Sequence, residues 1–412
     1  MRNRHPELLI PASSLEVLKT AVMFGADAVY IGGEAFGLRA KAKNFSMEDM
    51  KEGVQFAHEH GARVHVTVNI LAHNDDLEGA AEYLKELKEI GPDALIIADP
   101  AIFMLAKEIC PEIERHVSTQ ANNTNYGTFN FWWNLGAKRV VTARELSLKE
   151  IREIRAHIPA EMEIESFIHG AMCISYSGRC LLSNFFTGRD ANQGACTHPC
   201  RWKYSVVEET RPGEYMPVYE NERGTYIFNS KDLCMIEHIP EMIDAGIDSF
   251  KIEGRMKTAL YVATVARTYR KAIDDYLEDP KKYEANMPWY RDQISNCTYR
   301  QFTTGFYFGK PGDESQIYDS NTYIKEYTYL GIIDGIKDGM YRIEQRNKFS
   351  VGETVEIMKP DGQNVEVTVE KIIDEDGQEQ ESAPHPKQVL YVALSGEASV
   401  YDILRRQEGV TE

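Results

Sequence analysis

Long hydrophobic runs are missing from this 412-residue chain, and no window approaches the ~18 apolar residues that a membrane span needs. The opening residues, MRNRHPELLIPASSLEVL, carry a short apolar run that a proline ends, so no signal peptide is read there. Cysteine is sparse and odd in number, seven in all, which argues against a disulfide framework and for reduced thiols used as ligands or nucleophiles. Together these absences point to the cytoplasm and leave no role for a membrane partner. A positive charge balance is missing too. With 46 basic against 64 acidic residues the net charge is −18, which repels a polyanion at long range unless the cations gather on one face.

The familiar hydrolase signatures are also absent. There is no G-x-S-x-G elbow, and HEHGARVH sets His58, Glu59 and His60 at the wrong spacing for a zinc helix, where two histidines must stand four apart. GFYFGKP (305–311) has one residue too few between its glycines for a phosphate loop and reads as a turn. What is present is enough apolar material, 43% of residues with 10% aromatic, for one large core and a smaller one beside it. That excludes a disordered or fibrous chain.

Up to about residue 256, β-rich runs alternate with amphipathic helical stretches. The runs are ELLIPA (7–12), AVYIGG (28–33), RVHVTVNI (63–70), ALIIAD (94–99), RHVSTQ (115–120), RVVTAR (139–144), EIESFIHG (163–170) and SFKIEGR (249–255). Between them, segments such as NDDLEGAAEYLKELKEIG space apolar residues at i, i+3, i+4 and i+7. A doubly wound open sheet would show the same alternation, but the count of eight favours a TIM-type (β/α)8 barrel. A long helix follows (258–279), then an acidic and aromatic connection. From YTYLGIIDGIKDGMYRIEQ onward, short alternating strands with DG and VG turns spell a small all-β barrel. The expected domains are thus 1–324, with a cysteine-rich insertion at about 170–224 after the seventh strand, and 325–412.

Barrels of this type place their chemistry where strands end at the carboxyl side. The ends here are unusually polar: Asn69, Asp99, Gln120, Arg144 with Glu145, His169, and the set Lys251, Glu253 and Arg255. Asn69, Gln120, Glu145, His169, Lys251 and Glu253 are the catalytic candidates. The loop after the seventh strand holds Cys173, Cys180, Cys196 and Cys200 as C-x6-C-x15-C-x3-C. Gathered thiolates suit a soft metal. Structural zinc takes cysteines in close pairs and only the second pair fits, whereas iron–sulfur ligation accepts irregular spacing. Zinc stays open, including as an adventitious ion in aerobic preparations.

ESFIHGAMCISYSGRCLLS (165–183) resembles the signature of the collagenase-like peptidases, peptidase family U32, and the likeness extends through GADAVYIGG, LRAKAKNF, STQANNTN, GACTHPCRW and FKIEGRMKT. GACTHPCRWKY, RPGEYM, KIEGRMKT and NKFSVGETVEIM resemble most the branch of that family called tRNA hydroxylation proteins, which install 5-hydroxyuridine at the wobble position. The resemblance implies a 4Fe-4S cluster on Cys173, Cys180, Cys196 and Cys200, tRNA as substrate, and prephenate as an associated small metabolite. It leaves open a paralogous partner subunit. Cys234, in KDLCM, is an alternative fourth ligand or a buried thiol, with burial the preferred reading.

A tRNA substrate needs clustered cations to offset the acidic balance. Candidates are Arg39, Lys41, Lys43, Arg179, Arg189, Arg201, Lys203 and Arg255, with Lys257 beside the last. A flipped-out base needs a stacking partner, for which Tyr176, Phe185, Phe186 and Trp202 are candidates. Three functional classes follow: an RNA-modifying redox enzyme, a peptidase, and a metal-stabilised tRNA- or protein-binding module.

Overall fold

The computed structural model describes residues 5–37, 44–173, 175–177, 179–191, 194–201, 203–204, 206–207, 215–216, 220–221, 224–226, 231–297, 301–310 and 327–408. Eight parallel strands form its first unit: β1 (Glu7–Pro11), β2 (Ala28–Gly32), β3 (Arg63–Val68), β4 (Ala94–Ile97), β5 (Glu114–Val117), β6 (Arg139–Val141), β7 (Glu163–Ala171) and β8 (Ser249–Ile252). Each pairs with the next, and β8 closes the ring by pairing with both β7 and β1, through Phe250↔Ser166 and Leu8↔Phe250. This is the expected TIM-type barrel. All eight strands fall where the apolar runs stand, and most stop one to three residues earlier, because the polar residues after them belong to the βα loops.

The first six strands are followed by α1 (Leu15–Met23), α2 (Met47–Glu59), α3 (Asp76–Ile90), α4 (Pro100–Ile109), α5 (Tyr126–Leu135) and α6 (Leu148–His157). Their starts follow ordinary capping chemistry. Ser46 and Asn125 accept from Asp49 N and Thr128 N, and Ser147 with Glu150 closes a capping box. Asp99, read above as a strand-end site residue, accepts from Ala101 N and Ile102 N and so caps α4.

After β7 the chain enters the cysteine loop and returns as a short strand, Asp232–Cys234, antiparallel to the end of β7, with Cys234 opposite His169. Gly170 sits at that crossing with φ +106°, and a Cβ there would lie 2.5 Å from the Glu253 carbonyl oxygen, so only glycine fits. The GFYFG segment is the expected turn, closed by Gly309 N to Phe306 O, and Tyr307 donates its hydroxyl to the Phe167 carbonyl.

The second unit consists of Met23–Gly25, Thr258–Tyr299 and Tyr323–Glu412. Its strands are β9 (Tyr327–Lys337), β10 (Met340–Glu344), β11 (Thr354–Met358), β12 (Asn364–Asp374), β13 (Glu379–Gln380), β14 (Val389–Leu394) and β15 (Ile403–Gln407). All but β13 close an antiparallel barrel in the order β11-β15-β9-β10-β14-β12, back to β11. Asp338 and Gly339, both at positive φ, make the tight turn between β9 and β10. Leu330, Ile343, Phe349, Ile357 and Val392 fill the core.

Helix α7 (Ala259–Glu278), which the sequence reading left with the first domain, groups with this unit instead. Buried Arg267 accounts for that: it donates to the Lys359 and Gln363 carbonyls and to Asn364 Oδ1, tying the helix to the β11–β12 turn.

Candidate active site at the mouth of the barrel

The barrel interior is polar where aliphatic layers are the norm. Glu163, Glu165, Phe167 and His169 alternate along β7. Glu165, fully buried, accepts from Lys251 Nζ at 2.6 Å, Arg139 Nη1 at 3.0 Å and Ser249 Oγ at 3.2 Å. Arg139 also binds Glu7 at 3.1 Å and Glu163 at 2.7 Å. Burial alone would raise the Glu165 pKa, but the Lys251 and Arg139 charges outweigh it and hold the carboxyl below its usual range. Glu7 follows the same balance, with Arg139 as the dominant opposing charge. The ion chain therefore runs Lys251–Glu165–Arg139–Glu7 inside the barrel.

Beside the chain sit His65 and His116, both fully buried, their rings edge to face at 4.8 Å. Burial pushes His65 down to about 3. Burial and then Arg139 hold His116 well below its usual value. Both are neutral imidazoles at neutral pH.

At the carboxyl ends of the strands lies a cavity of about 230 Å³. Strand ends supply Tyr30, Thr67, Asn69, Ser118, Gln120, Arg144, Phe167, Lys251, Glu253 and Arg255 to its lining, and the cysteine loop supplies Cys173, Cys180, Cys196 and Cys200 with Tyr176 and His198. Lys251 stands 4.5 Å from the centre of the Tyr30 ring, whose hydroxyl is pinned to the Ile252 carbonyl. Arg144 lies 4.0 Å over Phe167 and pairs with Glu253 at 2.9 Å. Gln120 is 6% exposed, and its Oε1 has no hydrogen-bond partner among the described residues.

Of the six catalytic candidates, Asn69, Gln120, Lys251 and Glu253 meet at this cavity, whereas Glu145 and His169 do not line it. Burial raises the Glu145 pKa. His169 is buried and pushed down to about 3, chiefly by that burial and secondarily by Lys257. Arg255, read above as an RNA-facing cation, is only 7% exposed; it donates to Thr67 Oγ1 at 2.8 Å and Asn44 Oδ1 at 3.2 Å. A Cβ on Gly32 would fall 2.6 Å from its guanidinium, so the strand end is shaped around this arginine.

Arg179 and Arg189 are exposed on the cysteine loop. Arg39, Lys41, Lys43 and Trp202 lie outside the described residues, as do the side chains of Arg201 and Lys203. Phe185 is 81% exposed and packs edge to face on exposed Phe186. The sequence reading missed Tyr30, Thr67, Ser118, Glu165 and Phe167. Glu165 could have been found, since a carboxylate inside the apolar run EIESFI needs an internal cation.

All seven cysteines are free thiols, and Cys110 and Cys297 are buried. Cys234 is half-buried rather than buried and does not line the cavity. The donor set of the loop suits a soft metal: four sulfurs share one cavity wall, and the His198 N–H already points at Cys196 Sγ, 3.4 Å away. Among the described residues no three His, Cys, Asp or Glu side chains stand close enough to hold a metal ion, so binding one would draw the loop segments together. Nor, among those residues, is any helix long and apolar enough to cross a membrane.

A closed parallel barrel with charged and thiol side chains gathered over its carboxyl-end mouth is the architecture of barrel enzymes. Residues 13–317 match peptidase family U32 and residues 325–405 match the U32 C-terminal domain. The chain belongs to peptidase family U32. It is 43% identical over 405 residues to tRNA hydroxylation protein P1 of Bacillus subtilis (98% of this chain, 95% of the relative). It is 39% identical to tRNA hydroxylation protein P of Escherichia coli (92% and 91%). It is also 41% identical over 273 residues to the Escherichia coli 23S rRNA 5-hydroxycytidine C2501 synthase, covering 66% of this chain and 40% of that one.

Proposed function

We propose that this protein is an iron–sulfur-dependent tRNA-modifying enzyme that hydroxylates wobble uridine to 5-hydroxyuridine, with prephenate as the associated metabolite. The observation that carries the reading is the shared cavity: cysteine thiols and the polar strand ends of the barrel line one space, so a bound metal and a bound substrate would be neighbours. The names of the relatives support the substrate class, since proteins similar over nearly the whole chain are called tRNA hydroxylation proteins and one that matches a shorter stretch is called a 23S rRNA 5-hydroxycytidine synthase. Cys173, Cys180, Cys196 and Cys200 would hold a 4Fe-4S cluster, whose chemistry when bound is one-electron transfer.

The other groups bind and orient. Lys251, fixed by Glu165, offers its ammonium to an anionic or carbonyl oxygen, and Arg144, fixed by Glu253 and Phe167, offers its guanidinium. Arg179, Arg189, Arg201 and Lys203 would meet phosphates, and Phe185 with Phe186 offers a stacking surface for unpaired bases. A peptidase in which His169 activates Cys173 is less well supported, because Cys173 lines the cavity and His169 does not.

The test is a cysteine series on protein purified without air. Wild type is expected to be brown and to yield iron and acid-labile sulfide in equal amounts. Cys173→Ser, Cys180→Ser and Cys196→Ser are each expected to lose both, because a hydroxyl is a poor ligand for a soft metal, and each should fail to restore 5-hydroxyuridine in a host lacking the gene. Cys200→Ser and Cys234→Ser separate the two candidates for fourth ligand. A colourless anaerobic preparation holding stoichiometric zinc would contradict the redox reading and favour a binding module.

A further inference from the structure

We propose that the short helix Leu182–Thr187 of the cysteine loop is a platform, centred on Phe185, for the unpaired RNA bases that neighbour the one taken into the barrel mouth. This rests on the RNA reading above and deepens it. Phe185 and Leu181 are the two most exposed large apolar side chains among the described residues, at 81% and 66%. They stand four apart, one turn of helix, and so share its outer face, where the Phe186 ring meets Phe185 edge to face with centres 5.1 Å apart.

The opposite face explains why these rings stay out. Ser183 and Thr187, also four apart, turn inward. Buried Ser183 accepts from Thr197 N at 3.0 Å, and its hydroxyl stands 3.1 Å from Thr197 Oγ1, which lies 3.4 Å from the Thr187 hydroxyl. These contacts pin the helix to the segment that follows Cys196, at the wall of the cavity, which Ser183 lines together with Cys180 and Tyr176. The helix buries its hydroxyls and exposes its rings, the reverse of an ordinary surface helix, and this marks the outer face as a contact surface.

Charge says what kind of partner fits it. From Cys173 to Tyr204 the sequence carries Arg179, Arg189, Arg201 and Lys203 but a single carboxylate, Asp190, in a chain whose 64 acidic residues outnumber its 46 basic ones. Arg179 and Arg189 are exposed just before and just after the helix, and neither forms an ion pair among the described residues. A surface that is aromatic at its centre and cationic at both ends matches single-stranded nucleic acid, whose bases stack while its phosphates are neutralised. A paired stem offers the phosphates but keeps its base faces covered.

The experiment measures binding of protein purified without air to two probes: an anticodon stem–loop RNA with uridine at the wobble position, and a blunt RNA duplex of the same stem without the loop. Phe185→Ala is expected to weaken stem–loop binding about tenfold, the loss of roughly one stacked base, and to leave duplex binding unchanged. Phe185→Trp, which keeps a ring, should bind the stem–loop as wild type does. Arg189→Gln should weaken both probes alike and reduce the salt dependence by about one phosphate contact, which Phe185→Ala should not. A side chain this exposed contributes little to folding, so the thermal unfolding of Phe185→Ala should match wild type.

Equal stem–loop binding by wild type and Phe185→Ala, or an equal loss for the duplex, overturns the platform and leaves the RNA reading standing. An oligomer in sedimentation that Phe185→Ala dissociates while RNA binding stays intact assigns the face to a second copy of the chain, and also overturns the platform. Absence of binding of either probe by wild type overturns the platform and the RNA reading together.

Discussion

Glu165→Ala is expected to destabilise the barrel by ~3–5 kcal/mol, because it leaves the buried Lys251 cation without its carboxylate. Glu165 is completely buried and is the only link in the described chain of contacts between Lys251 at the mouth and Arg139 below it. Its removal leaves the buried Lys251 without a carboxylate, while Arg139 keeps Glu7 and Glu163. Glu165→Gln keeps the shape and one acceptor and should cost less. Urea unfolding at pH 7 of wild type and both variants checks this. A loss below ~1 kcal/mol for the alanine variant would mean that water or a rearranged Glu7 replaces the carboxylate, and that Lys251 is not held as the structure shows.

Acidification from pH 7 to pH 5 is expected to withdraw stability through His65 and His116, about 2 kcal/mol of it through His65 alone. The sign follows from the direction of the shifts. Both histidines have folded pKa values far below the ordinary ~6.5, His65 at about 3, so below pH 6.5 the unfolded chain takes up protons that the folded barrel refuses. Stability then rises with pH across this window. The depressed carboxylates Glu7 and Glu165 act lower, since their contribution is present above the usual carboxylate pKa and is lost as pH falls through the folded values.

Neither ring nitrogen of His65 has a hydrogen-bond partner among the described residues, so His65→Leu removes an unsatisfied polar group as well as a titrating one. It should lower the pH slope by about a third at little cost at pH 7, since His116 and His169 still refuse protons in the folded state. An unfolding midpoint that does not move between pH 7 and pH 5.5 would contradict the burial of these histidines.

The barrel was legible because eight apolar runs separated by amphipathic helices leave few arrangements, and the strand-end rule then located Asn69, Gln120, Lys251 and Glu253 without coordinates. The internal ion chain was not legible. Periodicity says which way a side chain points, not which distant residue it meets, and Glu165 lies 86 residues from Lys251. The inward setting of Arg255 was not legible for the same reason: an arginine after a strand is exposed on average, and the Thr67 hydroxyl and the space left by Gly32 turn this one towards the cavity. The grouping of α7 with the C-terminal unit was hidden because its burial on many sides, from Ala259 to Ile273, reads alike whichever core it serves.

The most direct test of the central claim is the nucleoside content of tRNA from a host deleted for this gene and any close paralogue, digested and measured by mass spectrometry. Disappearance of 5-hydroxyuridine and of nucleosides built on it, with return on supplying the wild-type gene, is the expected result. Unchanged 5-hydroxyuridine in the deletion strain, with other hydroxylation routes blocked, would contradict the assignment.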